Sequence, residues 1–218
     1  IGGFPDHPHR GFETVTYMLD GKMRHGDNKG RSGVIETGGV QWMRAGRGIV
    51  HSEMPEQVEG RMRGFQLWVN LPSHLKMSEP DYQEFDAARI PVETRDGGVT
   101  VKVITGKTSL GTEGPVKDAA IGPVYFDVAL PAGTAFAEPV GADRDAMLVV
   151  YEGAVEVGGL VELPGYVEER GHEDPHQVAD APERQQGQRR LRPRRVVEPS
   201  RLGQPQPAED RVDRRGAG

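Results

Sequence analysis

The 218-residue sequence predicts an all-β fold. Three observations carry this. Apolar residues alternate with period two in short runs such as "ETVTYML", "VTVKVITG" and "VYFDVAL", as in half-buried strands. Glycine and proline are frequent, 30 and 17 residues, and they fall between the runs, where turns are needed. No segment shows apolar spacing for a helix of convincing length.

Taken in order, the runs fall into three zones. The first spans residues 1–85 and holds "ETVTYML", "GVIE", "GVQWM", "GIVHSEM" and "GFQLWVNLP". Glycines separate them at regular spacing, which suggests a β-barrel or sandwich. "EPDYQEFDAARIP", bracketed by Pro80 and Pro91, reads as a connector. The second zone, residues 86–164, repeats the texture with "VTVKVITG", "GPVYFDVALPAG" and "AMLVVYEGAVEVGG", so a duplicated β-fold is expected. The third, residues 165–218, is rich in arginine, lacks lysine, and has Tyr166 as its single aromatic. Such a segment buries too little apolar surface to offset its chain entropy. It reads either as a natural disordered tail or as the out-of-frame product of a GC-rich gene. Its basic cluster, Arg189 to Arg195, is diluted by nearby acidic residues.

Bulk properties exclude several functions. A net charge of −6 gives the whole chain no electrostatic reason to bind nucleic acid. The absence of cysteine removes disulfide scaffolds and thiolate metal sites, and fits a cytoplasmic protein. No apolar run approaches the roughly 18 residues that span a bilayer. The chain opens at Ile1, within what reads as ordered protein, so further residues before it are expected.

The candidate chemistry lies in "FPDHPHRGFETVTYML". In an extended segment His7 and His9 share a face. Glu13 has the same parity, as do Val15, Tyr17 and Leu19, so the reading places all of them toward a barrel interior. "AGRGIVHSEMP" offers a second pair, His51 and Glu53, again two residues apart. Two imidazoles with a carboxylate suit a divalent first-row metal, and a 2-His-1-carboxylate set with open positions suits non-haem Fe(II). Spacing alone leaves Glu13 and Glu53 tied for the carboxylate. His25 and His74 stand isolated and read as surface residues. His172 and His176 lie in the third zone and are set aside.

"FPDHPHRGFETVTYML", "GGVQWMRAGRGIVHSEMP" and "GFQLWVNLP…KMSEPDYQEF" resemble the pirin family, a branch of the cupin superfamily. The likeness is close over residues 1–85. It is weaker over the second zone, through "VYFDVALPAG" and "VVYEGAVEVGG". The resemblance implies a double-stranded β-helix, the cupin jelly roll, in two tandem domains. Residues 1–85 would be the metal-binding cupin domain, 86–164 a partial second cupin domain, and 165–218 a disordered or out-of-frame tail. His7, His9 and Glu13 fit the first cupin motif. Gly48 and His51 fit the second, with Gly46 where proline is common. The resemblance implies one divalent metal, Fe(II) by preference, held by His7, His9, His51 and Glu53. It breaks the tie toward Glu53 and leaves Glu13 as a same-face neighbour. Pirins carry further strands before the opening glycines and a different ending, so the chain is expected to be a fragment with exposed sheet edges.

For function, the resemblance implies a quercetin dioxygenase. A flavonol and O2 would give the ring-opened product and carbon monoxide, with Glu53 as the base that takes the flavonol proton. The alternative it implies is a non-catalytic, redox-sensing iron protein that regulates transcription or metabolic enzymes through a protein partner. Arg10, Arg44 and Arg47 would then offer a partner-facing basic patch.

Overall fold

Where the alternating runs meet their glycine turns, strands form, and their cross-strand pairing builds the frame of the site. The computed structural model describes residues 2–56, 59–157, 160–162 and 167–170. By its packing the chain divides into Ile1–Pro139 and Val140–Gly218.

In the first unit the strands are β1 (Phe4–His9), β2 (Phe12–Asp20), β3 (Lys22–Asp27), β4 (Ser32–Glu36), β5 (Val40–Arg44), β6 (Ile49–Pro55), β7 (Arg63–Asn70), β8 (Asp81–Phe85), β9 (Val92–Thr94), β10 (Thr100–Thr105) and β11 (Tyr125–Ala129). Two four-stranded antiparallel sheets face each other, ordered β1-β6-β3-β4 and β7-β2-β5-β8. A third sheet runs β11-β10-β9. Among the described residues the helical elements are three-residue 3-10 turns, so the all-β expectation holds. The expected connector contains β8, which pairs with β5 from Val40↔Phe85 to Arg44↔Asp81. In the second unit β12 (Ala146–Val149) pairs with β15 (Val167–Arg170), and β13 (Val155–Val157) with β14 (Leu160–Glu162). Most of the arginine-rich zone, with His172, His176 and Arg189 to Arg195, lies outside the described residues.

The sheet containing β2 is buried on both faces, and this explains the unbroken burial from Glu13 to Met18. Its outer face carries Val15, Tyr17, Val40, Trp42 and Val69 against Ile90, Ile104 and Val116, one core that joins the first and second zones. Its inner face carries Thr14, Thr16, Met18, Gln41 and Met43 toward the barrel interior. There Met18 packs on Met23 and Ile35, and Met43 on Ile49.

This corrects the parity argument. Gly11 adopts φ +78°, where a side chain would be strained, and turns the chain between β1 and β2. The two strands enter different sheets, so parity does not carry across the turn. Val15 and Tyr17 belong to the outer core. Tyr17 donates to Asp127 at 2.5 Å. Glu13, with no exposed surface, accepts from Arg44 Nε at 2.8 Å and from the Ala120 amide at 3.3 Å. It fastens the sheet to the 118–120 loop and is not a same-face neighbour of the histidines. Arg44 is thereby committed to Glu13 and to the Asp118 carbonyl, to which its Nη2 donates at 2.6 Å.

Candidate metal centre

β1 is an edge strand, and its sequence explains how. Pro5 and Pro8 have no backbone N–H to donate to a ladder, which suits the strand to the edge position it occupies. Among the described residues it pairs with β6 alone, in the register His7↔His51 and His9↔Ile49. Asp27 of β3 pairs with His51 on the other side, and His25 with Glu53. One row across three strands is therefore Asp27, His51, His7. Two turns hold the ligand-bearing strands together. The Gly11 amide donates to the Gly46 carbonyl at 2.8 Å. At Gly46, φ is +50° and a Cβ would lie 2.1 Å from the Ser78 carbonyl oxygen.

His7, His9 and His51 converge, each offering a ring nitrogen within 4.8 Å of the others. Their ring centroids lie 4.5 to 4.9 Å apart. His7 Nδ1 lies 2.8 Å from the Pro5 carbonyl oxygen, to which it donates. That bond fixes the tautomer and leaves Nε2 as the lone-pair atom. His7 Nε2 is 3.0 Å from His9 Nε2. Two nitrogens at right angles around an ion about 2.1 Å from each would be separated by about 3 Å. His51 has no exposed surface and neither ring nitrogen has a hydrogen-bond partner. Orphaned buried nitrogens are costly unless something meets them, and a metal ion would. Burial, then the neighbouring imidazoles, pushes the pKa of His9 and His51 down to about 4. Both are neutral at physiological pH, the state that binds metals.

Glu53 is buried on β6, and its carboxylate is not among the atoms of that histidine group. It accepts from Gln66 Nε2 of β7 at 2.8 and 3.0 Å. Glu53 and the histidines of β1 line one cleft of about 450 Å³, walled by Phe4, Pro8, Phe12 and Trp68. This is the size of a small-molecule site. Trp68 stacks on Phe12 at 4.7 Å and meets His9 edge-on at 5.3 Å.

Sequence reasoning missed two groups. His25 is not a surface residue: it is 3% exposed, its Nε2 lies 2.7 Å from Glu84, and it stacks on Tyr82. Its neighbours sit on other strands, so sequence isolation concealed them. His74 is exposed, as expected. Gln66 and Trp68 were also missed. The available signal was the alternation in "GFQLWVN", where they share the face opposite Phe65, Leu67 and Val69.

Facing sheets that bring three imidazoles together, one strand carrying His-x-His and another the third histidine, define a cupin-type barrel whose histidines could hold a metal ion. The first 69 residues match the Pirin family model. A Pirin-like protein of Caulobacter vibrioides is 74% identical over 157 residues, 72% of this chain and 57% of that protein. The chain belongs to the pirin family. The crystal structure of GK1651 from Geobacillus kaustophilus superposes with a TM-score of 0.71 at 33% identity, covering 79% of this chain and 69% of that one. That of a quercetin 2,3-dioxygenase from Acinetobacter baumannii gives 0.67 at 34%, covering 79% and 61%. The chain spans about half the length of the curated relatives it matches.

Proposed function

We propose that this chain carries the metal site of a quercetin-type flavonol dioxygenase that uses Fe(II) and O2. The single observation that carries the reading is the convergence of His7, His9 and the buried His51, with His7 and His9 lining an aromatic-walled cleft. His7, His9, His51 and Glu53 are the proposed ligands, within a cupin domain of residues 1–85. Residues 86–164 form the proposed partial second domain; the expected tail, 165–218, contains β15 at Val167–Arg170, and its other residues lie outside the described ones. The likeness to the Acinetobacter dioxygenase supports the substrate class.

A metal held there supplies a Lewis-acid site for the flavonol oxygen and a seat for redox chemistry with oxygen. The chain supplies the rest. Phe4, Phe12 and Trp68 offer flat apolar faces for a planar ring system. Glu53, buried yet lining the cleft, accepts the proton of the flavonol hydroxyl at a carboxylate oxygen.

Fe(II)-loaded protein mixed with quercetin and oxygen should bleach the flavonol band and release carbon monoxide. A folded, metal-replete sample that leaves quercetin intact would sink the reading and turn attention to the regulatory alternative. His9→Ala and His51→Ala should each abolish metal retention and turnover together.

A further inference from the structure

Gln66 and Trp68 form a chain that ends on Glu53. The Gln66 amide nitrogen donates to both Glu53 oxygens, at 2.8 and 3.0 Å, and lies 3.3 Å from the Thr16 hydroxyl. Its amide oxygen accepts from Trp68 Nε1 at 3.1 Å. The polarity is forced at both ends, because an indole N–H only donates and a carboxylate only accepts. The middle group must therefore accept on one side and donate on the other without adding charge. A primary amide does this. A glutamate would set a second anion against Glu53, and a lysine would give the indole nothing to donate to. The far end is also held. Trp68 is 60% exposed at the cleft mouth, yet its ring is fixed by stacking on Phe12 and by its edge contact with His9.

The geometry points to Gln66 as a positioning residue, clamped by Trp68, that sets the direction in which Glu53 presents its carboxylate to a metal held by His7, His9 and His51. This rests on the ligand set proposed above. The chain joins both sheets: Glu53 on β6 belongs to one, and Thr16 on β2 with Gln66 and Trp68 on β7 to the other. The carboxylate is thus aimed by the opposite wall of the barrel.

Cobalt(II) tests this without flavonol or oxygen, because its ligand-field bands report coordination geometry. The wild-type chain, Trp68→Phe, Gln66→Glu and Glu53→Gln would be loaded with Co(II), with circular dichroism verifying the fold of each. Trp68→Phe keeps an aromatic ring to stack on Phe12 and removes the N–H together with the second ring of the indole, at an exposed position where the fold tolerates it. The bands of Trp68→Phe and Gln66→Glu should move toward those of Glu53→Gln. Co(II) affinity should fall on the order of 10- to 100-fold in Gln66→Glu, the usual loss when a ligand's supporting hydrogen bond is removed, and less in Trp68→Phe. Adding Trp68→Phe to Glu53→Gln should change nothing further. Wild-type bands and affinity in both Trp68→Phe and Gln66→Glu would overturn the proposal. So would an effect of Trp68→Phe that persists undiminished in Glu53→Gln, or a Glu53→Gln spectrum equal to wild type. Wild-type protein that couples these residues but leaves quercetin intact would defeat the dioxygenase reading alone.

Discussion

At the scale of single residues, His9 and His51 set how the metal-free protein responds to pH. Both have folded pKa values near 4, well below the ordinary 6.5, chiefly because burial opposes their charge. Above pH 6.5 both are neutral in the folded and unfolded chain and contribute no pH dependence. Between about 6.5 and 4 the unfolded chain binds more protons, so stability falls as pH falls. Melting temperatures of metal-free protein should drop across that window, and His51→Gln should flatten the slope. The three histidines were legible in the sequence because two residues apart along a strand means one face. Glu13 was misread because the same rule was carried through Gly11, where the chain changes sheets. His25 was misread because its partners, Glu84 and Tyr82, come from a strand more than fifty residues on.

At the scale of elements, the turns position the ligand strands. Gly46→Ala should cost more than about 2 kcal/mol, since the residue has positive φ and its Cβ would overlap the Ser78 carbonyl. Urea denaturation measures this, and metal affinity should weaken alongside, because the Gly46 carbonyl also holds the turn at Gly11. β9 is pinned differently. Glu93 accepts from Thr108 at 2.5 Å and from Arg95 at 2.6 Å, and Arg95 continues to Glu138 at 2.6 Å. The Thr108 hydroxyl, first among several donors, lowers the Glu93 pKa to about 2. Its stabilisation is complete above about pH 4.5 and fades as pH falls toward 2. Thr108→Val should cost about 1–2 kcal/mol at neutral pH, seen by thermal melting, and less in acid. Strand existence was legible from period-two alternation. The assignment of β8 was not, because Pro80, Asp81 and Asp86 look like loop chemistry, and only the pairing with β5 makes "DYQEF" a strand.

At the scale of the whole molecule, one core spans what the sequence divides into two zones. Ile90, Ile104 and Val116 from the second zone pack on Val15, Tyr17 and Trp42 from the first. Ile104 has no exposed surface, so Ile104→Ala should cost about 2–5 kcal/mol. If the core is shared energetically, that substitution lowers the single transition of residues in both zones, including the fluorescence of Trp42. A separate early transition confined to the second zone would show two independent cores. The repeated strand texture was readable in advance. Which face of the β2 sheet turns outward was not, because both faces are buried and the alternation there sets valine and tyrosine against threonine.

The edge position of β1 has a consequence for motion. Two of the three converging imidazoles ride on a strand that, among the described residues, has a hydrogen-bonded neighbour on one side only, and the third sits on that neighbour. An ion bound between them acts as a clasp across the strand pair. Vacant, the strand's outer end is free to fray. Filled, it is tied down at two points. Amide hydrogen exchange in β1 should therefore slow on addition of Zn(II) far more than in β2, whose pairing on both sides already protects it.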